Sequence, residues 1–274
     1  MRTISVFSTA LSIGACLLFA TPAQADQVPL TVGGTTIQFP VEAGYVRIST
    51  SAPKVFEITQ AALPPTNRLV EVFETSADLA RQQAGQPLRD PFYQVQVIRE
   101  IEERHVGLDE WKQALPQLTA GMANVDMNKV ANQELSGAND RMTAAAGQPV
   151  GMTMGKLGQP QIYRQTPASF AFTMVVPIQV NVGGQNVSGT MGVAGGMLVA
   201  GNRVIDVNVY TSSASPESLA DLRDRLDRTV DQTIALNPSD RGGFDWSKVG
   251  QKAMIGALIG AVIGVFGMLF RRKG

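Results

Sequence analysis

The chain has 274 residues with 23 basic and 23 acidic side chains, so it is neutral as a whole, and its single cysteine, Cys16, excludes a disulfide framework and a zinc–thiolate site. Setting aside the terminal charges Arg2, Lys252, Arg271, Arg272 and Lys273 leaves 18 basic residues against all 23 acidic ones, a net of about −5. An acidic balance of this kind argues against nucleic acid and against adhesion to anionic lipid.

Residues 1–25 read as a signal peptide. Arg2 gives a positive start, an apolar centre follows, and Ala23-Gln24-Ala25 fits the small-x-small cleavage pattern. Ile13-Gly14-Ala15-Cys16 resembles a lipobox, so lipidation at Cys16 is a competing reading, and an uncleaved anchor is a third. The far end carries an uncharged stretch, Met254 to Phe270, about 25 Å long as a helix. Residues 249–270 are read as one transmembrane helix, 239–248 as a linker and 271–274 as a cytoplasmic basic tail. That leaves an exported domain over 26–238.

In chain order, Val28 to Phe39 predicts a hairpin about Gly33-Gly34, pairing Val32 with Thr35, Leu30 with Ile37 and Val28 with Phe39 on one apolar face. A third strand follows from Gly44 to Ser49. Pro53 opens a short helix to about Ala62, and Leu63-Pro64-Pro65 stops it. Arg68 to Thr75 reads as a strand whose apolar residues fall on both faces. Ser76 to Pro91 reads as loop, and Phe92 to Ile101 as a strand.

Leu108 to about Ala120 predicts a helix that Pro116 should break or bend. Val125 to Ala146 predicts a second helix rich in Asn, Ala and Met, and Gly147 to Gly158 a loop or edge strand. From Gln159 to Ser212 the pattern is β. Strands flank Gly183-Gly184, with Pro177 suggesting a bulge or edge. In Asn202 to Tyr210, alternation points Ile205, Val207 and Val209 inward and Asp206 and Asn208 outward. The last soluble helix has Ser215 as N-cap, Pro216 at N1, and a stripe of Leu219, Leu222, Leu226, Val230 and Ile234. Its opposite face, from Asp221 to Asp231, reads as a solvated charged face. The expected fold class is α+β: a largely antiparallel sheet with flanking helices, an α/β sandwich, plus one C-terminal transmembrane helix.

Val32-Gly33-Gly34-Thr35 through Phe39-Pro40 and Gly44-Tyr45, then the Ala168–Tyr210 strands and the Leu219–Leu236 helix, follow an order that resembles the PsbP-like family of α/β/α sandwich domains. The resemblance covers under half of the exported domain. It implies a fold and no activity, and no functional residue is carried over from it.

Residue chemistry points to no reaction. His105 is the only histidine and lies in the charged run Glu100 to Arg104, so it reads as a surface residue. The acids Asp221, Asp224, Asp227 and Asp231 stand at helical spacing and not in a calcium loop. Gly189, Gly192, Gly195 and Gly196 lack the lysine and Ser/Thr of a phosphate loop and read as close packing or bulges. Asn186-Val187-Ser188 matches a glycosylation sequon. No catalytic residue, metal or cofactor is expected.

The expected interaction surface is the small-residue face Gly256, Gly260, Gly264 and Gly267, which would let helices approach closely in lipid. Phe244, Trp246, Lys252, Arg271, Arg272 and Lys273 would anchor the span at the two membrane interfaces. The expected protein is thus a single-pass inner-membrane protein with its domain in the periplasm. It would serve as a binding or assembly module, as a homo-oligomer or with a partner membrane protein. A membrane-tethered hydrolase using carboxylates or an unrecognised serine is the alternative. A tail removed by an envelope processing enzyme is a further reading of the C-terminal stretch.

Overall fold

A computed structural model describes residues 26–242, apart from 85, 87 and 183–184. The expected signal peptide, the spanning helix with its glycine face, and the anchors from Phe244 to Lys273 lie outside the described residues. Among the described residues no helix is long and apolar enough to cross a membrane.

Two strands open the domain, β1 (Asp26–Val32) and β2 (Thr35–Val41). They pair as the turn chemistry predicts, with Val32 opposite Thr35, Leu30 opposite Ile37 and Val28 opposite Phe39. Gly33 and Gly34 both take positive φ, 51° and 75°, as a two-residue turn requires. Leu30, Val32, Ile37 and Phe39 are buried, at about 1.5–3 kcal/mol each.

The remaining elements are β3 (Tyr45–Arg47), α1 (Ile48–Ser51), α2 (Pro53–Ala62), β4 (Asn67–Thr75), α3 (Ser76–Gln83), β5 (Phe92–Ile98), α4 (Leu108–Asn124) and α5 (Met127–Ala146). Then follow β6 (Val150–Met154), β7 (Gln161–Thr166), β8 (Ser169–Val182), β9 (Gln185–Ala200), β10 (Arg203–Thr211) and α6 (Pro216–Leu236). Eight strands form one antiparallel sheet in the order β3-β4-β5-β10-β9-β8-β6, with β7 also on β8. One face packs against α1, α2, α4 and α5 through Trp111, Leu115, Met127, Met142 and the β8 row Phe170, Phe172, Met174 and Val176. The other face packs against the β1–β2 hairpin and α6 through Leu222, Leu226 and Val230. The α+β class with an antiparallel sheet and flanking helices therefore holds.

Several local expectations change. Ser76–Gln83 is a helix and not loop: Thr75 caps it by accepting from the Asp78 N–H at 3.1 Å. The buried Asp78 carboxylate then accepts from the Arg89 and Asp90 N–H groups at 3.0 and 2.7 Å, folding the following segment back. Helix α4 runs unbroken through Pro116. Pro116 sits on the exposed side, so the carbonyl it leaves unbonded, at Lys112, meets water, while Trp111, Leu115, Leu118 and Met122 hold the helix to the core. The mixed facing of β4 has a cause in a register shift between Leu69 and Glu71. The charged face of α6 is partly engaged: Arg225 pairs with Asp221 at 2.8 Å and with Glu42 at 2.5 Å, and Arg164 pairs with Asp227 and Asp231.

Asp206 and Asn208 do not face solvent. Both are buried, because this sheet is covered on both sides and alternation in β10 separates two interiors, not core from water.

Candidate interaction edge and the buried polar row

Strands β8 and β9 are long, 14 and 16 residues, and pair over their whole length from Ser169 opposite Leu198 to Val182 opposite Gln185. That register is the one predicted around Gly183-Gly184; the turn itself lies outside the described residues. The two strands form a ribbon that outruns β10 on its β9 side. On one side, β10 pairs with β9 only as far as Thr211 opposite Gly192. Gly192 is where the cover stops: a Cβ there would lie 2.8 Å from the Ser213 carbonyl oxygen and 3.0 Å from Leu219. The chain crosses closely over this glycine and turns into α6. Beyond it, among the described residues, no strand pairs with the outer side of residues 185–191.

Residues 186–190 are exposed, and Val187 at 56% and Val175 at 36% are the exposed large hydrophobics among the described residues. Residues 165–202 contain no Asp, Glu, Lys, Arg or His. Natural sheet edges are commonly guarded by charge, proline or a bulge. Here one cross-strand pair near the tip is a pair of amides: Asn181 donates to Asn186 Oδ1 at 2.7 Å.

The opposite side of the ribbon is managed differently. Pro177 falls in the gap between β7, which ends on Thr173, and β6, which begins on Ile178. Its carbonyl accepts from the Gly155 N–H at 2.9 Å. The expected bulge is absent at Pro177, and the edge reading is met: its missing N–H falls where no strand needs it. Strand β6 closes this side of the sheet, and three side chains of α5 close β6 and the segment just after it. Thr143 bonds both main-chain groups of Val150, Asn139 both of Met152, and Asn128 both of Leu157, at 2.8–3.2 Å. These bonds account for two of the three asparagines in that helix, Asn128 and Asn139. A cleft of about 160 Å³ lies beside them, lined by Asn128, Ala131, Asn132, Met154, Gly155, Lys156 and Leu157.

A second polar feature is internal. On the α4 side of the sheet, Asn67 of β4, Gln94 and Gln96 of β5, and Asp206, Asn208 and Tyr210 of β10 are all buried. Gln96 is the hub: its Nε2 donates to Asp206 Oδ2 at 2.5 Å, and its Oε1 accepts from Asn67 and Gln94 at 3.4 Å. Burial raises the Asp206 pKa from 3.8 to about 7, with the Gln96 and Asn208 amides drawing it back. Both amide atoms of Asn208 are buried beside Asp206 and fall outside strict hydrogen-bond geometry. Burial likewise raises the Tyr210 hydroxyl, and the Asp206 charge raises it further. Gly195 makes the space: a Cβ there would lie 2.6 Å from Asn208 Oδ1 and 2.4 Å from the Phe172 ring.

The glycines singled out in sequence therefore do pack closely at Gly192, Gly195 and Gly196, whereas Gly189 stands in open space. His105 is half exposed and 3.0 Å from Asp240. Among the described residues no group of three or more His, Cys, Asp or Glu is placed to hold a metal. The open edge was missed by residue-by-residue reading; the signal available was the absence of charge over 38 consecutive residues.

No protein-family description and no curated protein matches the chain. Several solved structures are similar to it, two of which follow. One is the cyanobacterial PsbP protein, CyanoP, from Synechocystis sp. PCC 6803, at 14% identity and a TM-score of 0.32, covering 81% of this chain and 96% of that one. The other is a point mutant of the protein Mog1, at 13% identity and a TM-score of 0.28, covering 78% of this chain and 92% of that one. The PsbP-like resemblance seen in the sequence is thus met by a solved member, as a weak likeness of fold and nothing more.

Proposed function

We propose that this protein is an envelope binding module: an exported α+β domain, tethered by a C-terminal helix, that engages a partner through the β8–β9 ribbon. The observation that carries the reading is the uncharged ribbon itself, which outruns β10 and presents Val175, Val187 and a strand edge that no other described strand pairs with. The tether is read from the apolar stretch Met254–Phe270 and the basic Arg271-Arg272-Lys273 end, and the glycine face Gly256, Gly260, Gly264 and Gly267 adds lateral association in the bilayer.

Two measurements on the full-length protein test this. In spheroplasts, added protease should remove the domain and leave a short membrane-embedded fragment; a fully protected domain would reverse the topology. In cells, a photocrosslinker at Val175 or Val187 should give discrete adducts, and one on the exposed α2 residue Lys54 should not. Adducts of equal yield at both places would sink the ribbon as the binding surface.

A further inference from the structure

Resting on that reading, we infer that the partner is taken up as an added β-strand: an extended, uncharged segment of another protein lies along Gln185–Met191 on the open side of β9. Main-chain parity assigns the donors and acceptors. Pro177 has no N–H, and its carbonyl points to Gly155 on the β6 side, so the Pro177–Thr190 pair exchanges no main-chain bond. Alternation then turns the N–H and C=O of Asn186, Ser188 and Thr190 outward, while Val187 and Gly189 bond to β8.

The seam at β6 gives the same parity independently. Val150 and Met152 turn their main-chain groups away from β8, toward Thr143 and Asn139. Their partners Val182 and Val180 therefore bond toward β9, and Val180 stands opposite Val187. Three consecutive outward residues, each a donor and an acceptor, make the register that strand addition uses.

Charge and position define the occupant. A strand bearing charges would place them beside Val187 on a ribbon with no counter-ion from 165 to 202, where desolvation goes unrewarded. Hydroxyl, amide and β-branched side chains match the edge. The described chain leaves at Arg241 and Gly242, where Arg241 packs on Gly107 and Asp240 accepts from Asn202 in the turn after β9. Gln185 is at the other end of that strand, about 50 Å away. With the C-terminal tether proposed above, the open edge is the end of β9 remote from the point where the described chain leaves toward the bilayer. A second copy in the same membrane would point its β9 the same way, which closes off two-fold antiparallel pairing of the two edges. The occupant is therefore a different protein.

The test uses the full chain in nanodiscs and a capped, uncharged eight-residue peptide of alternating Thr and Val as probe. The peptide should slow amide exchange at Asn186, Ser188 and Thr190 and leave Val187 and Gly189 unchanged. Ser188→Pro removes an outward donor without touching the β8 ladder, and Ser188→Lys places a charge on the edge. Each should weaken the peptide at least about tenfold, the equivalent of one lost hydrogen bond. In cells, both should abolish adducts from photocrosslinkers at Asn186 and Thr190. If adducts persist in both variants, or protection does not alternate, strand addition is overturned while the binding-module reading stands. If no ribbon position gives adducts, Val175 and Val187 included, both readings fall. Adducts of twice the chain mass would identify a second copy and overturn the inference.

Discussion

The sheet has two unpaired edges around β8 and β9, and they are treated in opposite ways. At β6, α5 supplies Thr143, Asn139 and Asn128, each meeting both main-chain groups of one residue. At residues 185–191 of β9 no such closure exists among the described residues, and the side chains are uncharged. The same chain thus closes one edge with helix side chains and leaves the other free. An exposed edge is ordinarily a liability that the chain guards, as it does at β6. The row around Gln96 lies between these cases: buried like the β6 seam, yet with Gln94 Oε1 and the Tyr210 hydroxyl unmatched.

The largest effect expected from disturbing this contrast is in that row. Below about pH 3.8 Asp206 is protonated in both states; between there and about 7 the unfolded chain ionises and the folded one does not. Stability should fall as pH rises through that window, with a constant cost above it on the order of 4 kcal/mol. Asp206→Asn should remove the slope and stabilise the protein at pH 8 by up to about that amount, while leaving it near neutral at pH 4. Urea midpoints of both proteins at pH 4, 6 and 8 measure this; a wild type equally stable at pH 4 and 8 would refute it.

Gly192→Val comes next. It forces a side chain against the Ser213 carbonyl and Leu219, at a cost of about 3 kcal/mol. Thermal unfolding should show it, and a variant with wild-type stability would mean that the close crossing does not set the limit of β10.

Asn139→Ala leaves the Met152 N–H and C=O without their partner and should cost about 2 kcal/mol. It also opens the β6 edge, so concentration-dependent association should appear by light scattering. Ser188→Lys, at the edge already bare, should change stability by less than about 0.5 kcal/mol. If Ser188→Lys destabilises as much as Asn139→Ala, the two edges are not different in kind.

Local chemistry made part of this molecule legible. Gly33-Gly34 set one hairpin register, the β8–β9 register from Val182 opposite Gln185 is the one read from the flanking pattern, and Ser215 with Pro216 set the start of α6, where Ser215 accepts from the Ser218 N–H at 3.2 Å. What was illegible depends on distant partners. Ser76–Gln83 looked like loop because its anchor, Asp78, binds main chain eleven and twelve residues away. Asp206 and Asn208 looked solvent-facing because period-two alternation gives sidedness and does not say whether a second layer covers the far side. The site was hidden for a related reason. Nothing in Gln185–Met191 marks it residue by residue; the edge exists only because the chain after Thr211 turns away over Gly192.

Strand order carries a consequence for how the domain is made. β10, last of the strands in sequence, is central in space, joining β3-β4-β5 to β9-β8-β6. Until it is synthesised, β5 and β9 each present a long apolar flank with nothing to close it. The first hairpin waits longer still, since Asn237 bonds both main-chain groups of Gln38 across 199 residues. Folding is therefore dominated by late, distant contacts and should be slow and post-translational. A chain built this way cannot close its sheet or seat its first hairpin until its final strand and helix have emerged.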